Sequence, residues 1–129
     1  MSRIVRIAAA GALTLSALWL GTAPAGAASL PTCTARLSLT TMPTTASGSV
    51  DCRLAYGHTG DGVKALQESL YFCNGENVAR DGIFGNATKA AVLRVQQRGG
   101  ISQDGVYGPQ TRDRMSFMTY GSSTPRCTV

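Results

Sequence analysis

One nonapeptide is written twice in this chain. "DGIFGNATK" begins at Asp81 and "DGVYGPQTR" at Asp104, 23 residues later. Both read Asp-Gly, a β-branched residue, an aromatic ring, Gly, two variable residues, Thr and a base, so seven of nine positions match in kind. Such a repeat restricts the fold strongly, because two copies of one local structure must share one small core. Asp-Gly marks a tight turn: the Asp side chain accepts from backbone N–H groups ahead of it, and Gly tolerates positive φ. In the first copy Ile83 and Phe84 are expected to enter the core and Gly85 to turn the chain. Asn86 would then cap a helix over "ATKAAVLRVQQR", with Ala87, Ala91, Val92 and Val95 on its inner face. Gly99-Gly100 ends it. In the second copy Val106 and Tyr107 replace Ile83 and Phe84, and Pro109 takes the first helical position, where a missing N–H is no loss. A third helix is expected to run through Met115 and Met118 to about Tyr120.

Upstream, "LAYGHTGDGVKALQESLYFC" places Val63, Leu66, Leu70 and Cys73 at spacings of three and four, which predicts a helix from Asp61 to Cys73 with Asp61 as its cap. Asn74-Gly75 stops it. Between Cys33 and Cys52 the 18 residues include eight Ser or Thr, and "RLSLT" and "SGSVD" alternate as two short strands around Pro43. Residues 28–53 therefore read as a small hairpin or arm.

The first 27 residues have another purpose. "MSRIVR" is basic, "IAAAGALTLSALWLG" is apolar and Ala25-Gly26-Ala27 is small, the three-part layout of a secretory signal peptide. The apolar run of 15 residues falls short of the roughly 20 that span a membrane. Cleavage after Ala27 removes Arg3, Arg6 and Trp19, taking the net charge from +5 to +3 and leaving one domain's length of chain. An exported protein of weak positive charge suits anionic wall polymers; nucleic acid and membrane are not expected partners. Cys33, Cys52, Cys73 and Cys127 then read as two disulfides with three pairings open. A compact chain often brings its ends together, which leans toward Cys52 with Cys127 and Cys33 with Cys73.

The pieces "LAYGHTGDGVKALQ", "DGIFGNATKAAVLRVQ" and "DGVYGPQTRDRM", in that order over roughly residues 54–118, resemble the peptidoglycan-binding domain of bacterial cell-wall enzymes. The resemblance implies an all-α fold, a small three-helix module preceded here by a short arm and stapled by disulfides. It divides the chain into signal peptide (1–27), arm (28–53), wall-binding-like domain (54–121) and tail (122–129). Two positions depart from the family pattern: Val95 stands where an aromatic is usual, and Arg112 where Trp is usual. The catalytic domain usually fused to such modules is missing from this sequence, so a free-standing protein is expected.

The residues offer little for catalysis. His58 sits in a Gly-rich turn, no G-x-S-x-G is present, and four oxidised cysteines leave no thiol. Among the carboxylates Asp81 and Asp104 fit turns, Asp61 a cap and Glu68 a polar helix face; only Glu76 lacks a structural role, and glycoside hydrolysis needs a pair. Read as calcium loops, the two repeats lack the carboxylate at the twelfth position, so neither metal nor cofactor is expected. The Asn86-Ala87-Thr88 sequon reads as helix capping. Binding residues are sought around the second turn: Arg112 foremost, and Tyr107, whose other reading is the core equivalent of Phe84. Gln67 and Gln96 stand where the family also has Gln, and either contact ligand or tie helices together. The expected function is secreted, non-catalytic peptidoglycan binding at the cell wall. A small secreted protease inhibitor presenting "TTMPTTAS", or a targeting subunit of a separate wall hydrolase, are the alternatives.

Overall fold

The first helix forms where the apolar spacing places it. In the computed structural model, which describes residues 30–121 and 123–129, α1 spans Asp61–Cys73. The expected signal peptide at 1–27 lies outside the described residues. Gly62, Val63, Ala65, Leu66, Gln67, Ser69 and Leu70 are all buried, so α1 is covered on more than one face and forms the axis of the domain. Its cap is Gly60, not Asp61: Gly60 has φ 110 and its N–H donates to the Gly82 carbonyl at 2.9 Å. That pairing holds the chain in the left-handed region that glycine tolerates, and displaces Asp61 into the first turn.

Helix α2 (Asn86–Gly99) and helix α3 (Pro109–Arg112) each follow one copy of the repeat. Gly85 caps α2 and Asn86 is its first residue, with no side-chain capping bond. The inner face is Thr88, Ala91, Val92, Val95 and Gln96; Ala87 is exposed, one position off the expected stripe. At the C-terminus Gly100 adopts φ 64, and the Ile101 N–H reaches back to the Gln96 carbonyl at 3.1 Å, which satisfies the last turn.

The third helix stops after one turn, well short of Tyr120. Met115 and Phe117 are both buried, an alternation of two residues that belongs to a strand. Strand β3 (Phe117–Thr119) pairs antiparallel with β4 (Arg126–Thr128). Its other edge is held by the arm: the Thr41 N–H donates to the Met118 carbonyl, the Met118 N–H to Thr41 Oγ1, and the Tyr120 N–H to the Leu39 carbonyl. Asn74, just past α1, bonds both the N–H and the carbonyl of Ser116. These partners lie far away in sequence and outbid one more turn of helix. The domain is therefore helical with two short two-stranded sheets, not all-α.

The arm supplies the other sheet, β1 (Ala35–Arg36) against β2 (Pro43–Thr44), displaced from the expected strands "RLSLT" and "SGSVD". Pro43 is inside a strand rather than at the turn between two. Thr41, Pro43 and Thr44 are buried, and Ser69 Oγ on α1 bonds both the Thr41 carbonyl and its hydroxyl. So residues 41–44 of "TTMPTTAS" are packed against α1, and Ala46 and Ser47 are exposed in the turn that follows. Gly62 makes the contact close: an added Cβ there would lie inside the van der Waals radius of the Cys33 carbonyl.

The disulfides are Cys33–Cys52 and Cys73–Cys127, which overturns the expected pairing. Proximity of chain ends does not decide it. Residues 31–33 run beside residue 53, where the Arg53 N–H donates to the Pro31 carbonyl and the Cys33 N–H to the Arg53 carbonyl. The buried bridge therefore closes the arm on itself, while the second pins β4 to the end of α1. Among the described residues no helix is long and apolar enough to cross a membrane.

Glu76 also has a structural role. It is buried, with Arg94 Nη2 and Arg98 Nη1 each 2.7 Å from its carboxylate, so it anchors α2 to the loop after α1. Burial pushes the carboxyl upward, and the two guanidinium groups together outweigh it, holding the pKa below the ordinary 4.5. A depressed folded pKa gives stability that is complete above the unfolded value and is lost as pH falls through the folded one. Melting temperature is thus expected to fall as the pH drops below about 4.5, and less steeply in Glu76→Gln. Parallel melting profiles for the two proteins over that range would remove Glu76 from the acid response.

Candidate binding site

The two loops are built alike, atom for atom. In the first, Gln67 Nε2 donates to Asp81 Oδ1, the Ile83 carbonyl and Thr88 Oγ1 at 3.1, 2.9 and 3.0 Å, and Gln67 Oε1 accepts from the Gly82 N–H at 2.8 Å. In the second, Gln96 Nε2 donates to Asp104 Oδ1, the Val106 carbonyl and Thr111 Oγ1 at 2.7, 2.9 and 3.0 Å, and Oε1 accepts from the Gly105 N–H at 2.9 Å. Each Asp also accepts from the backbone N–H two residues on, Ile83 or Val106. The Ile83 N–H, then the Gln67 amide, hold the Asp81 carboxyl below the usual carboxylate range. Gly82 and Gly105, at φ 74 and 70, provide the turn.

The Asp, the Gly after it and the Thr of each copy therefore have internal tasks, and the glutamines that the repeat does not contain complete them, while Lys89 and the Ile83 side chain face outward. Gln67 and Gln96 are buried, and their amides are occupied by the loops. Of their two readings, the structure displays the tie between elements.

The segment Leu54–Gly60 links the loops. Leu54 and Tyr107 exchange backbone hydrogen bonds at 2.9 and 2.8 Å, while Phe84 donates to the His58 carbonyl and accepts from the Gly57 N–H. His58 Nδ1 accepts from the Ala55 N–H, which shapes this turn. Phe84 and Tyr107 occupy equivalent core sites, 1% and 0% exposed, whereas Ile83 points outward at 56%, contrary to expectation. In an extended stretch neighbours face opposite ways, so Ile83 and Phe84 cannot both enter the core.

Tyr107 thus lies inside rather than on a binding surface. Among the described residues its hydroxyl is the buried side-chain polar atom with no hydrogen-bond partner, and burial pushes its pKa far up. Tyr107→Phe is expected to keep the fold and raise stability by about 1 kcal/mol, since an unpaired buried hydroxyl costs about that much or more. A lower melting temperature in the variant would show that the hydroxyl finds a partner in solution.

Arg112 is half-buried and engaged. Its Nη1 bonds the Val50 carbonyl at 3.1 Å and Asp51 at 2.9 Å, and its Nε bonds Asp113 at 3.1 Å. The Asp51 hydrogen bond, more than burial or Asp113, sets the upward shift of its pKa. Arg112 therefore straps the arm to α3.

An open cavity of about 420 Å³ lies beside the second loop, between it and the arm. Leu30 and Arg53 line one part, and Asp104, Val106, Pro109 and Gln110 another. Of the residues singled out in the sequence for binding, Gln96 touches this cavity, while Arg112, Tyr107 and Gln67 are not among its lining. Arg53 carried no signal, since it lies outside both the repeat and the helical stripes. Among the described residues there is no group of three or more His, Cys, Asp or Glu arranged to hold a metal ion.

Fold and cavity define a small helical module, braced by disulfides, whose two loops are clamped from within. Residues 59–115 match the family model for the peptidoglycan binding domain. Over 123 residues the chain is 33% identical to an uncharacterized protein in the bpoA1 3'region of Kitasatospora aureofaciens, a match covering 93% of this chain and 98% of that protein. It is 35% identical over 108 residues to a zinc D-Ala-D-Ala carboxypeptidase of Streptomyces albus G, covering 82% of this chain and 42% of the enzyme. A solved peptidoglycan-binding protein from Clostridioides difficile, in complex with glutamine hydroxamate, is 39% identical with a TM-score of 0.49, over 51% of this chain and 41% of that one. The chain thus spans less than half the length of the carboxypeptidase. Residues 59–115 thus form a peptidoglycan-binding domain.

Proposed function

We propose that this protein is secreted, binds peptidoglycan and performs no chemistry on it. The observation that carries the reading is the family match over residues 59–115, which covers both clamped loops and the helices between them. The clamps support it physically: a loop whose polar groups are satisfied internally presents a fixed outer surface, and little ordering entropy is lost on binding. The carboxylates support the absence of catalysis. Asp81 and Asp104 hold turns, Glu76 and Glu68 are paired with arginines, and Asp51 and Asp113 flank Arg112. The two disulfides suit an oxidising exterior.

A single module of this size binds weakly, and the dense repetition of ligand in the wall would retain it. A separately encoded wall hydrolase is the protein partner such a module would serve, and a pull-down from culture supernatant checks for one. The central test is co-sedimentation of the oxidised protein, from residue 28 onward, with purified peptidoglycan across a salt series, with chitin and cellulose as controls. Selective retention that persists in moderate salt is the expected result. Equal retention on all three polymers, or release by modest salt, would reduce the interaction to charge alone.

A further inference from the structure

We propose that the cavity between the arm and the second loop receives the free carboxylate of a peptide, with Arg53 as its counter-charge. This rests on the wall-binding reading and deepens it, by assigning the peptide part of the polymer, rather than the glycan, to this site.

The other cations near the core are engaged. Arg36 pairs with Glu68, Arg94 and Arg98 with Glu76, and Arg112 with Asp51 and Asp113, while Arg80 stacks over the rings of Tyr71 and Phe72. Arg53 differs. It lines the cavity, is partly buried, and its side chain has no hydrogen-bond or ion-pair partner among the described residues. Its backbone, by contrast, is fixed on every side. The Arg53 N–H donates to Pro31, its carbonyl accepts from Cys33, Cys52 before it is in a buried disulfide, and Leu54 after it is paired with Tyr107. A guanidinium on a rigid base, lining a concave site and without a partner among the described residues, suits an anion: its fork of N–H donors matches the two oxygens of a carboxylate.

Asp104 lines the same cavity, yet no ion pair joins it to Arg53. Its Oδ1 is taken by Gln96 and the Val106 N–H, which leaves Oδ2 to accept from a ligand. Opposite charges that line one cavity without pairing suit a ligand with a carboxylate at one end and N–H groups further along, which is the layout of a peptide terminus. Leu30, Val106 and Pro109 add apolar contact for a small side chain. Sugar rings are commonly gripped by an aromatic face, and among the described residues no aromatic lines this cavity; the exposed rings of Tyr56, Tyr71, Phe72 and Tyr120 are not in its lining. The arm thereby gains a function: Leu30 and Arg53 form the wall that turns a loop surface into a site.

The test titrates the protein, from residue 28 onward, with a synthetic stem peptide ending in a free carboxylate, with the same peptide amidated at its C-terminus, and with peptide-free glycan strands. Backbone amide shifts report the site. The free acid is expected to perturb residues around Arg53 and Asp104, and amidation to weaken binding about tenfold, the scale of one charge-assisted hydrogen-bonded pair. Arg53→Gln should weaken the acid by a similar factor and leave the amide unchanged, so that the two peptides become equivalent. Arg53→Lys, keeping the charge without the fork, should fall between. Acid and amide binding equally to the native protein would overturn the proposal, whatever the variants do. Retention on sacculi together with binding of glycan strands alone would overturn it and leave wall binding intact; no retention on sacculi would remove both.

Discussion

Gln96→Leu is expected to destabilise the domain by about 4 kcal/mol, the largest effect of any single side chain considered. Leucine fills most of the volume, so the loss is polar. The Gly105 N–H, buried beneath the loop, loses its acceptor, and Asp104 Oδ1 and the Val106 carbonyl lose the Nε2 donor. Each buried group left unsatisfied costs about 1–3 kcal/mol. A domain of this size has about 5–15 kcal/mol in total, so the variant should melt well below the native protein and populate unfolded chain at 37 °C. Gln96→Glu separates the polar term from the packing term. It would set a carboxylate oxygen where Nε2 now lies 2.7 Å from Asp104 Oδ1. Like charges at that distance favour the protonated form, so the new carboxyl's folded pKa is raised. Stability is then present at low pH and lost as the pH rises through the raised value. Thermal melts of both variants over a pH series check this. A leucine variant within 1 kcal/mol of native would mean that the loop holds its shape without the amide.

Gly62→Ala should cost about 3 kcal/mol although alanine is the better helix former by about 1 kcal/mol. The new methyl would meet the Cys33 carbonyl carbon and oxygen, both backbone, and Cys33 is tied to Cys52 and to Arg53. No side chain can swing aside; either the arm lifts from α1 or the helix start unwinds. The expected signature is a lower melting temperature together with faster amide exchange confined to residues 31–54. Unchanged exchange there would show that the first turn of α1 yields instead. Where the arm lifts, the Arg53 wall of the cavity moves with it, so peptide binding should weaken in the same variant.

How much of this was legible in the sequence depended on the range of the contacts. Helix α1 was readable end to end because Val63, Leu66 and Leu70 carry a local period. The duplicated loops were readable because the Asp, the Gly after it and the Thr of each copy serve that copy alone. Helix three was misread because Met115 and Met118 fit a helical spacing, while the contacts that make residues 117–119 a strand come from Thr41, Leu39 and the last residues of the chain. The disulfide pairing failed for the same reason, since the side-by-side run of residues 31–33 and 53 has no local signature. Of the binding residues named from the sequence, Gln67 and Gln96 stand out through the family resemblance, and their burial leaves their amides bonded to the loops. Arg53 could be found only from the structure, because what distinguishes it is a side chain without a polar partner among the described residues.

The paired clamps have a consequence for variation. Each loop is closed by its own glutamine, Asp and Thr, none shared with the other copy. The positions at which the copies disagree, Ala87 against Gln110 and Asn86 against Pro109, carry no clamp bond, and Ala87 and Gln110 face solvent. A chain built this way can exchange outward residues on one loop while the other stays as it is, like a socket wrench that keeps its handle and changes its head. Specificity for different wall chemistries can then diverge one loop at a time, without a new core for each.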